Sequence, residues 1–251
     1  MHGVDLSRWT AADGPLDLTA AAARIGAVWP ELAPVRATSL GEGWDCRIVE
    51  VNDAYVFRFP KRSEIGARLA RERVVLAGLA GTLPLAIPDV RFWAEPGGDF
   101  PFGLAGHVKI PGATAVGVAL AADAERRVAE ELARFMAALH AIPPERARQL
   151  GAVERDVLAN DPPALLALVR RLYPGLRPAL PAPVVERCLR FLSAAPPAPR
   201  QRPACLVHGE LTANNVLVSD EGEAVTGIID WTDACLGDPA GDLGGLFHWG
   251  G

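Results

Sequence analysis

His208-Gly-Glu-Leu-Thr-Ala-Asn-Asn215, with Asp230-Trp231 fifteen residues further on, sets the frame for the rest of the chain. Between them lie Asn215-Val-Leu-Val-Ser219 and Ala224-Val-Thr-Gly-Ile-Ile229, two apolar, β-branched runs separated by a turn centred on Glu221-Gly222. Such a pair reads as a β-hairpin. Its open end would gather the Glu210 carboxylate, the Asn215 amide and the Asp230 carboxylate at one mouth. Just upstream, Cys205-Leu-Val207 is a further short apolar strand.

Moving outward towards the N-terminus, residues 145–200 are rich in Arg, Leu and Pro, with helices predicted near 163–173 and 182–193 and a proline tract at Pro196-Pro-Ala-Pro199. No chemistry is legible there. Residues Ala121 to Ala141 form a strongly amphipathic pattern, with Val128, Leu132, Phe135, Met136 and Leu139 on one side. Pro143-Pro144 ends this helix, and His140 in its last turn reads as a C-terminal cap. Pro111-Gly112 marks a hinge. Before it, Asp89 to Ile110 is strand-rich and broken by the turn Pro96-Gly-Gly-Asp99. Glu64 to Leu79 carries Ile65, Leu69, Val75, Leu76 and Leu79 at helical spacing, with Pro84 and Pro88 as the stop. Arg47-Ile-Val-Glu-Val51 and Ala54-Tyr-Val-Phe-Arg-Phe59 read as strands joined by a tight Asn52-Asp53 turn. The pattern predicts an α+β protein, β-rich over 1–110 and mainly helical over 111–251, with one small hairpin in the helical part.

Composition narrows the class. Half of the 251 residues are hydrophobic and 22% are charged, which excludes a disordered chain. Met1 to Thr10 holds Asp5 and Arg8 and no apolar run, so it does not read as a signal peptide. No apolar run approaches the roughly 18 residues of a membrane span. The expectation is a cytoplasmic protein without a membrane partner. Cys46, Cys188, Cys205 and Cys235 form no C-x-x-C pair and read as reduced, mostly buried thiols. A net charge of −5 argues against a nucleic-acid partner. No Lys or Arg follows Arg202, whereas Glu210, Asp220, Glu221, Glu223, Asp230, Asp233, Asp238 and Asp242 do. Such a segment repels phosphates unless a divalent cation sits among its carboxylates, or it attracts a cationic substrate. A solvated acidic surface is the plain alternative for Asp220 to Glu223.

The spacing around the hairpin points to one chemistry. Phosphoryl transfer requires an oxygen acceptor beside the attacking hydroxyl and hard oxygen ligands for a cation that bridges the phosphates. The order H-x-D-x-x-x-x-N followed by an Asp is common to protein kinases and to the aminoglycoside and macrolide phosphotransferases, whose usual form is H-G-D-x-x-x-x-N and then I-D-W or I-D-F. This chain resembles the antibiotic-kinase version, with Glu210 where that family carries aspartate. Ile228-Ile-Asp-Trp-Thr-Asp-Ala234 and Gly237-Asp-Pro-Ala-Gly-Asp-Leu243 resemble the family's I-D-W-x-x-A and G-D-P-A-x-D-L segments. Tyr55-Val-Phe-Arg-Phe-Pro-Lys61 is similar to the F-K-F-P-K strand of the 2″-aminoglycoside group and the V-L-R-I-P-R strand of the macrolide group. The resemblance runs from about Ser39 to the C-terminus and covers 145–200 loosely.

What it implies is a bilobal protein-kinase-like fold. Residues 1–110 would form the nucleotide-binding lobe and 111–251 the catalytic and substrate lobe. The implied activity moves the γ-phosphoryl group of ATP or GTP to a hydroxyl of a small molecule, an aminoglycoside first and a macrolide second. Glu210 would receive or orient the hydroxyl proton, Asn215 and Asp230 would hold Mg²⁺, and Arg58 with Glu72 as its helix partner would position the phosphates. His208 would brace the loop. The chain departs from the family at Arg58, where the aminoglycoside group has Lys, at Ser39 to Gly43, which has two glycines in the nucleotide-covering loop, and at Glu210. A Glu carboxylate projects on the order of 1.5 Å farther than Asp, which implies a slower enzyme, or else a nucleotide-binding pseudoenzyme. His208-Gly-Glu210 also opens a zinc deaminase signature, but the P-C-x-x-C that must follow is absent. Asp238 and Asp242 read as structural, capping the next helix or bonding the catalytic loop. Trp44, Trp93 and Trp231 read as core or lobe-interface residues. The last residues, Phe247-His-Trp-Gly-Gly251, come soon after the Asp-Pro-Ala segment, where the family continues with helices that help line the acceptor site. Two readings stand side by side, a natural end or a truncation, and an acceptor side left open at this point could be completed by a second chain.

Overall fold

The computed structural model describes residues 16–118, 120–154, 162–193 and 204–250. Met1 to Thr10, the Pro196 to Pro199 tract and Gly251 lie outside the described residues. The chain opens with helix α1 (Leu18–Val28) and strands β1 (Ala37–Glu42), β2 (Cys46–Val51) and β3 (Tyr55–Pro60). Helix α2 (Ser63–Leu79) follows, then β4 (Val90–Ala94) and β5 (Leu104–Val108). The five strands form one antiparallel sheet in the order β1-β2-β3-β5-β4. Asn52 and Asp53 both adopt positive φ, 54° and 57°. Such a two-residue turn matches the twist of a β2–β3 hairpin, and Asn and Asp tolerate it better than other non-glycine residues.

Register decides which side chains face the site. Ile48, Arg58 and Ala105 are directly paired across β2, β3 and β5, so they share one face of the sheet. On that face Cys46 and Ala105 pack against Ile65 and Leu69 of α2. The opposite face buries Val49, Val51, Phe57, Phe92 and Leu104 against Ile25 of α1. Trp29 seals this side with ring contacts to Phe57, Phe92 and Phe100. Helix α1 was not visible in the alanine-rich sequence, because Ala21 and Ile25 are its only buried residues. Its start is fixed instead by Asp17, whose side chain accepts from the Thr19 and Ala20 amides. Helix α2 follows the expected periodicity, but it stops at Ala80-Gly81, where Gly81 takes φ +70°, ahead of Pro84.

The second part contains β6 (Ala113–Thr114), α3 (Ala122–His140), α4 (Pro144–Gln149), β7 (Val153–Glu154), α5 (Pro162–Leu176) and α6 (Ala182–Ser193). After these come β8 (Cys205–Val207), β9 (Val216–Val218), β10 (Val225–Ile228), β11 (Cys235–Gly237) and α7 (Ala240–Gly250). The expected hairpin is β9–β10, extended by β6. A second small sheet, β7-β11-β8, was not anticipated. The apolar stripe of α3, Val128, Leu132, Phe135 and Leu139, packs with Leu206, Leu211, Val216, Ile228 and Trp231, and the same cluster takes in Val75, Leu76 and Leu79 of α2. One core therefore runs between the sheet-bearing and helical parts. Gly112 lets the connecting chain pass close to β9, since a Cβ there would stand 2.2 Å from the Val218 carbonyl oxygen.

Two expectations need correction. Trp44 is neither core nor interface: it is 74% exposed at the tip between β1 and β2. His140 does not cap α3; its Nε2 meets the Asp242 carboxylate at 2.9 Å. The cysteines are mostly buried, as expected: Cys46, Cys205 and Cys235 are buried, Cys188 is partly buried, and no disulfide joins any of them. No described helix is long and apolar enough to cross a membrane.

Candidate active site

The cleft is organised by Arg58. It projects from β3 and is 8% exposed. Its Nη1 donates to both Glu72 oxygens, at 2.7 and 2.8 Å, and its Nη2 donates to Asp230 Oδ1 at 2.7 Å. Glu72 is buried on the inner face of α2 and also accepts the Trp231 amide at 3.1 Å. Burial works against the guanidinium charge, but Glu72 and Asp230 more than offset it, so Arg58 is held charged more firmly than an ordinary arginine. A planar fork can satisfy two carboxylates at once in a way that a point ammonium cannot. The expected Arg58–Glu72 pair is thus present, and it extends to Asp230.

Asp230 follows β10 in a left-handed conformation, φ +62°. This is uncommon for a non-glycine residue and is typical of functional sites. Thr232 Oγ1 donates to Asp230 Oδ1 and accepts from Arg58 Nη2 at 3.3 Å. Burial pushes the Asp230 carboxyl up, but Arg58 and the Thr232 hydroxyl outweigh it and hold it below the usual carboxylate range. Asp230 is therefore an anion with Oδ1 already engaged.

The loop from His208 to Asn215 is fixed at several points. His208 is fully buried. Its Nδ1 accepts the Glu210 amide at 3.3 Å, so the ring proton resides on Nε2, which donates to the Ile229 carbonyl at 3.0 Å. Burial holds its pKa below the usual histidine value and keeps it neutral. Asp242, also fully buried, accepts from the His208 and Gly209 amides at 3.0 and 2.9 Å and from His140. Burial raises the Asp242 carboxyl, yet His140 and the two amides bring it below the ordinary range. Only glycine fits at 209: φ is +89°, and a Cβ would lie 2.3 Å from the Asp233 carbonyl oxygen. Asp238 caps α7 by accepting the Ala240 amide. Both aspartates have the structural roles expected of them.

Asn215 Nδ2 donates to the Glu210 carbonyl at 2.9 Å, which turns Oδ1 away from that contact. Asn215 Oδ1 and Asp230 Oδ2 are two hard oxygens with no protein donor among the described residues. Such a pair fits Mg²⁺, which binds through one or two protein oxygens and takes the rest of its octahedron from phosphate and water. Among the described residues no three His, Cys, Asp or Glu side chains converge as a closed ligand cage. Glu210 is exposed at the mouth. Partial burial raises its carboxyl, Asp230 and Asp233 raise it further, and Asn215 offsets this only in part.

Two polar residues near the site escaped the sequence reading. Thr232 gave no signal beyond its place two residues after Asp230. His107 lies on β5 opposite Val56, on the sheet face that carries Arg58. It is 7% exposed and its Nδ1 donates to the Val108 carbonyl at 2.8 Å. Burial pulls its pKa down to about 4, so Nε2 is an unprotonated acceptor.

A family model described as a phosphotransferase enzyme family matches residues 36–251. No curated protein matches the chain. Among solved structures, the GDP complex of wild-type aminoglycoside 2′-phosphotransferase-IIIa is similar at 27% identity and a TM-score of 0.74, covering 93% of this chain and 78% of that one. The GDP and kanamycin complex of APH(2″)-IIIa is similar at 27% identity and a TM-score of 0.71, covering 89% and 76%. Macrolide 2′-phosphotransferase MphH from Brachybacterium faecium is similar at 29% identity and a TM-score of 0.54, covering 83% and 69%.

Proposed function

The chain belongs to the phosphotransferase enzyme family, and from that membership we propose that it transfers the γ-phosphoryl group of ATP or GTP to a hydroxyl of a small molecule. The observation that carries this reading is the Arg58 clamp. One guanidinium ties Glu72 of α2 to Asp230 beside the hairpin, in reach of Asn215 and Glu210. In this reading residues 1–110 bind the nucleotide and 111–251 carry the catalytic and acceptor side.

Arg58, steadied by Glu72, offers its charge to the nucleotide phosphates. Asn215 and Asp230 hold Mg²⁺. That ion would supply charge neutralisation on the phosphate oxygens when bound. Glu210 orients the acceptor hydroxyl and receives its proton. Its raised pKa makes it a better base than an ordinary carboxylate, and it must be ionised to act. Most of the acceleration in phosphoryl transfer comes from positioning and electrostatics, so one extra methylene at Glu210 slows the reaction and does not end it. An aminoglycoside is the first acceptor because the chain after Arg202 carries eight acidic residues and no basic one, which suits a polycation. The aminoglycoside complexes among the similar structures support the same choice, and the macrolide enzyme supports the second.

The test is transfer with Mg²⁺ and either ATP or GTP to kanamycin, gentamicin, streptomycin and a macrolide, read as a gain of one phosphoryl group by mass spectrometry. Modification of at least one acceptor is expected. Tight nucleotide binding with transfer to none of them would overturn the proposal in favour of a nucleotide-binding pseudoenzyme.

A further inference from the structure

Behind α2, away from Glu210 and Asn215, lies a cavity of about 480 Å³. That is within the roughly 300–1,000 Å³ of small-molecule sites. Leu76 and Leu79 of α2, the loop residues Leu83, Leu85 and Ile87, and Val90 of β4 give it an apolar lining. One cation enters this lining, Arg73. Its Nε is buried with no hydrogen-bond partner. Among the described residues no carboxylate pairs with its guanidinium, which lies instead over the Trp93 ring at 4.9 Å. The one acid of the lining, Asp89, already accepts from Arg91 at 2.7 Å.

A half-buried guanidinium with no carboxylate partner among the described residues, beside an apolar hollow, is complementary to a head-and-tail anion, whose oxygens would meet the terminal Nη groups and not the enclosed Nε. We propose that this cavity binds a small amphipathic monocarboxylate, with its oxygens on Arg73 and its hydrocarbon body along Leu76, Leu79, Leu83 and Ile87. A neutral alcohol of the same length would leave the Arg73 charge unanswered, and an alkylammonium would be repelled by it. The cavity walls also lead to the Arg58 clamp. Arg73 is the neighbour of Glu72 on α2, and the Ala86 carbonyl in the loop accepts the Ile228 amide at 2.9 Å, two residues before Asp230. The site itself is separate from the cleft and does not depend on the phosphotransferase reading.

The experiment is calorimetric titration of the full chain with octanoate, octan-1-ol and octylammonium, without nucleotide. Octanoate is expected to bind a single site at least tenfold more tightly than octan-1-ol, and octylammonium more weakly than either. Arg73→Leu, which keeps an apolar contact with Trp93, should make octanoate and octan-1-ol bind alike. Arg73→Gln provides the same readout if the leucine variant does not fold. Ala77→Trp, at the exposed rim of the cavity, should exclude both ligands. Equal binding of acid and alcohol by the unaltered protein, absence of octanoate binding, a preference that survives loss of Arg73, or full binding to Ala77→Trp would each overturn the proposal.

Discussion

Glu210 sits on a main chain with little freedom to move. Its amide donates to His208 Nδ1 and its carbonyl accepts from Asn215. With the backbone pinned on both sides, the extra methylene of glutamate is not absorbed by a shift of the chain and is carried by the side chain. A misplacement of about 1 Å can cost roughly a hundredfold in rate. Glu210→Asp is therefore expected to raise kcat, by up to about that factor, in steady-state assays with the preferred acceptor. A lower kcat in the variant would mean that the acceptor side is shaped for glutamate. The residues of the clamp were legible through the family resemblance, while periodicity supplied only their elements: Arg58 in an alternating strand, Glu72 in a helix, Asp230 after a hairpin. That Arg58 holds Glu72 and Asp230 together was not legible. It depends on a guanidinium fork that grips Glu72 at one end and, at the other, Asp230, 172 residues along the chain from Arg58. Thr232 and His107 were missed for a related reason, since a hydroxyl or an imidazole declares its role only through its partners.

At the level of elements, α7 matters because it delivers Asp242 beneath the His208–Asn215 loop. One buried carboxylate there answers the His208 amide, the Gly209 amide and His140 of α3, so the loop and α3 are both tied to α7 through it. Asp242→Asn keeps the shape but weakens these charge-assisted bonds, and should cost about 2 kcal/mol in urea unfolding. A cost below about 0.5 kcal/mol would show that the loop stands without it. Long, strongly periodic elements were readable: α2, α3 and the two hairpins match the sequence pattern because their buried positions recur at the helix or strand period. The sheet β7-β11-β8 was not, since its strands are two or three residues long and one pairing is parallel across 82 positions. Strand β1 was hidden by glycines and by side chains that are mostly exposed. His140 looked like a cap because its partner lies 102 residues away.

For the molecule as a whole, two buried neutral histidines set the response to acid. His107, held near pKa 4, and His208, also held low by burial, both titrate near 6.5 once unfolded. Above about pH 6.5 neither adds to or subtracts from stability. Below it, the unfolded chain takes up protons that the native chain refuses, and stability falls by as much as about 1.4 kcal/mol per pH unit for each histidine. For His107 this decline ends near pH 4, where the native ring also charges. Urea midpoints should therefore decrease from about pH 6.5 downwards, before the carboxylates titrate, and His107→Leu should remove that residue's share of the slope. An unchanged slope in the variant would show that His107 is not the group responsible. The exposed Trp44 has a different use. It stands in water at the β1–β2 tip, while Trp231 is 1% exposed in the core. An aqueous quencher such as iodide reaches the first indole and not the second, so with the other tryptophans replaced by Phe, Trp44 would serve as an optical label at the β1–β2 tip.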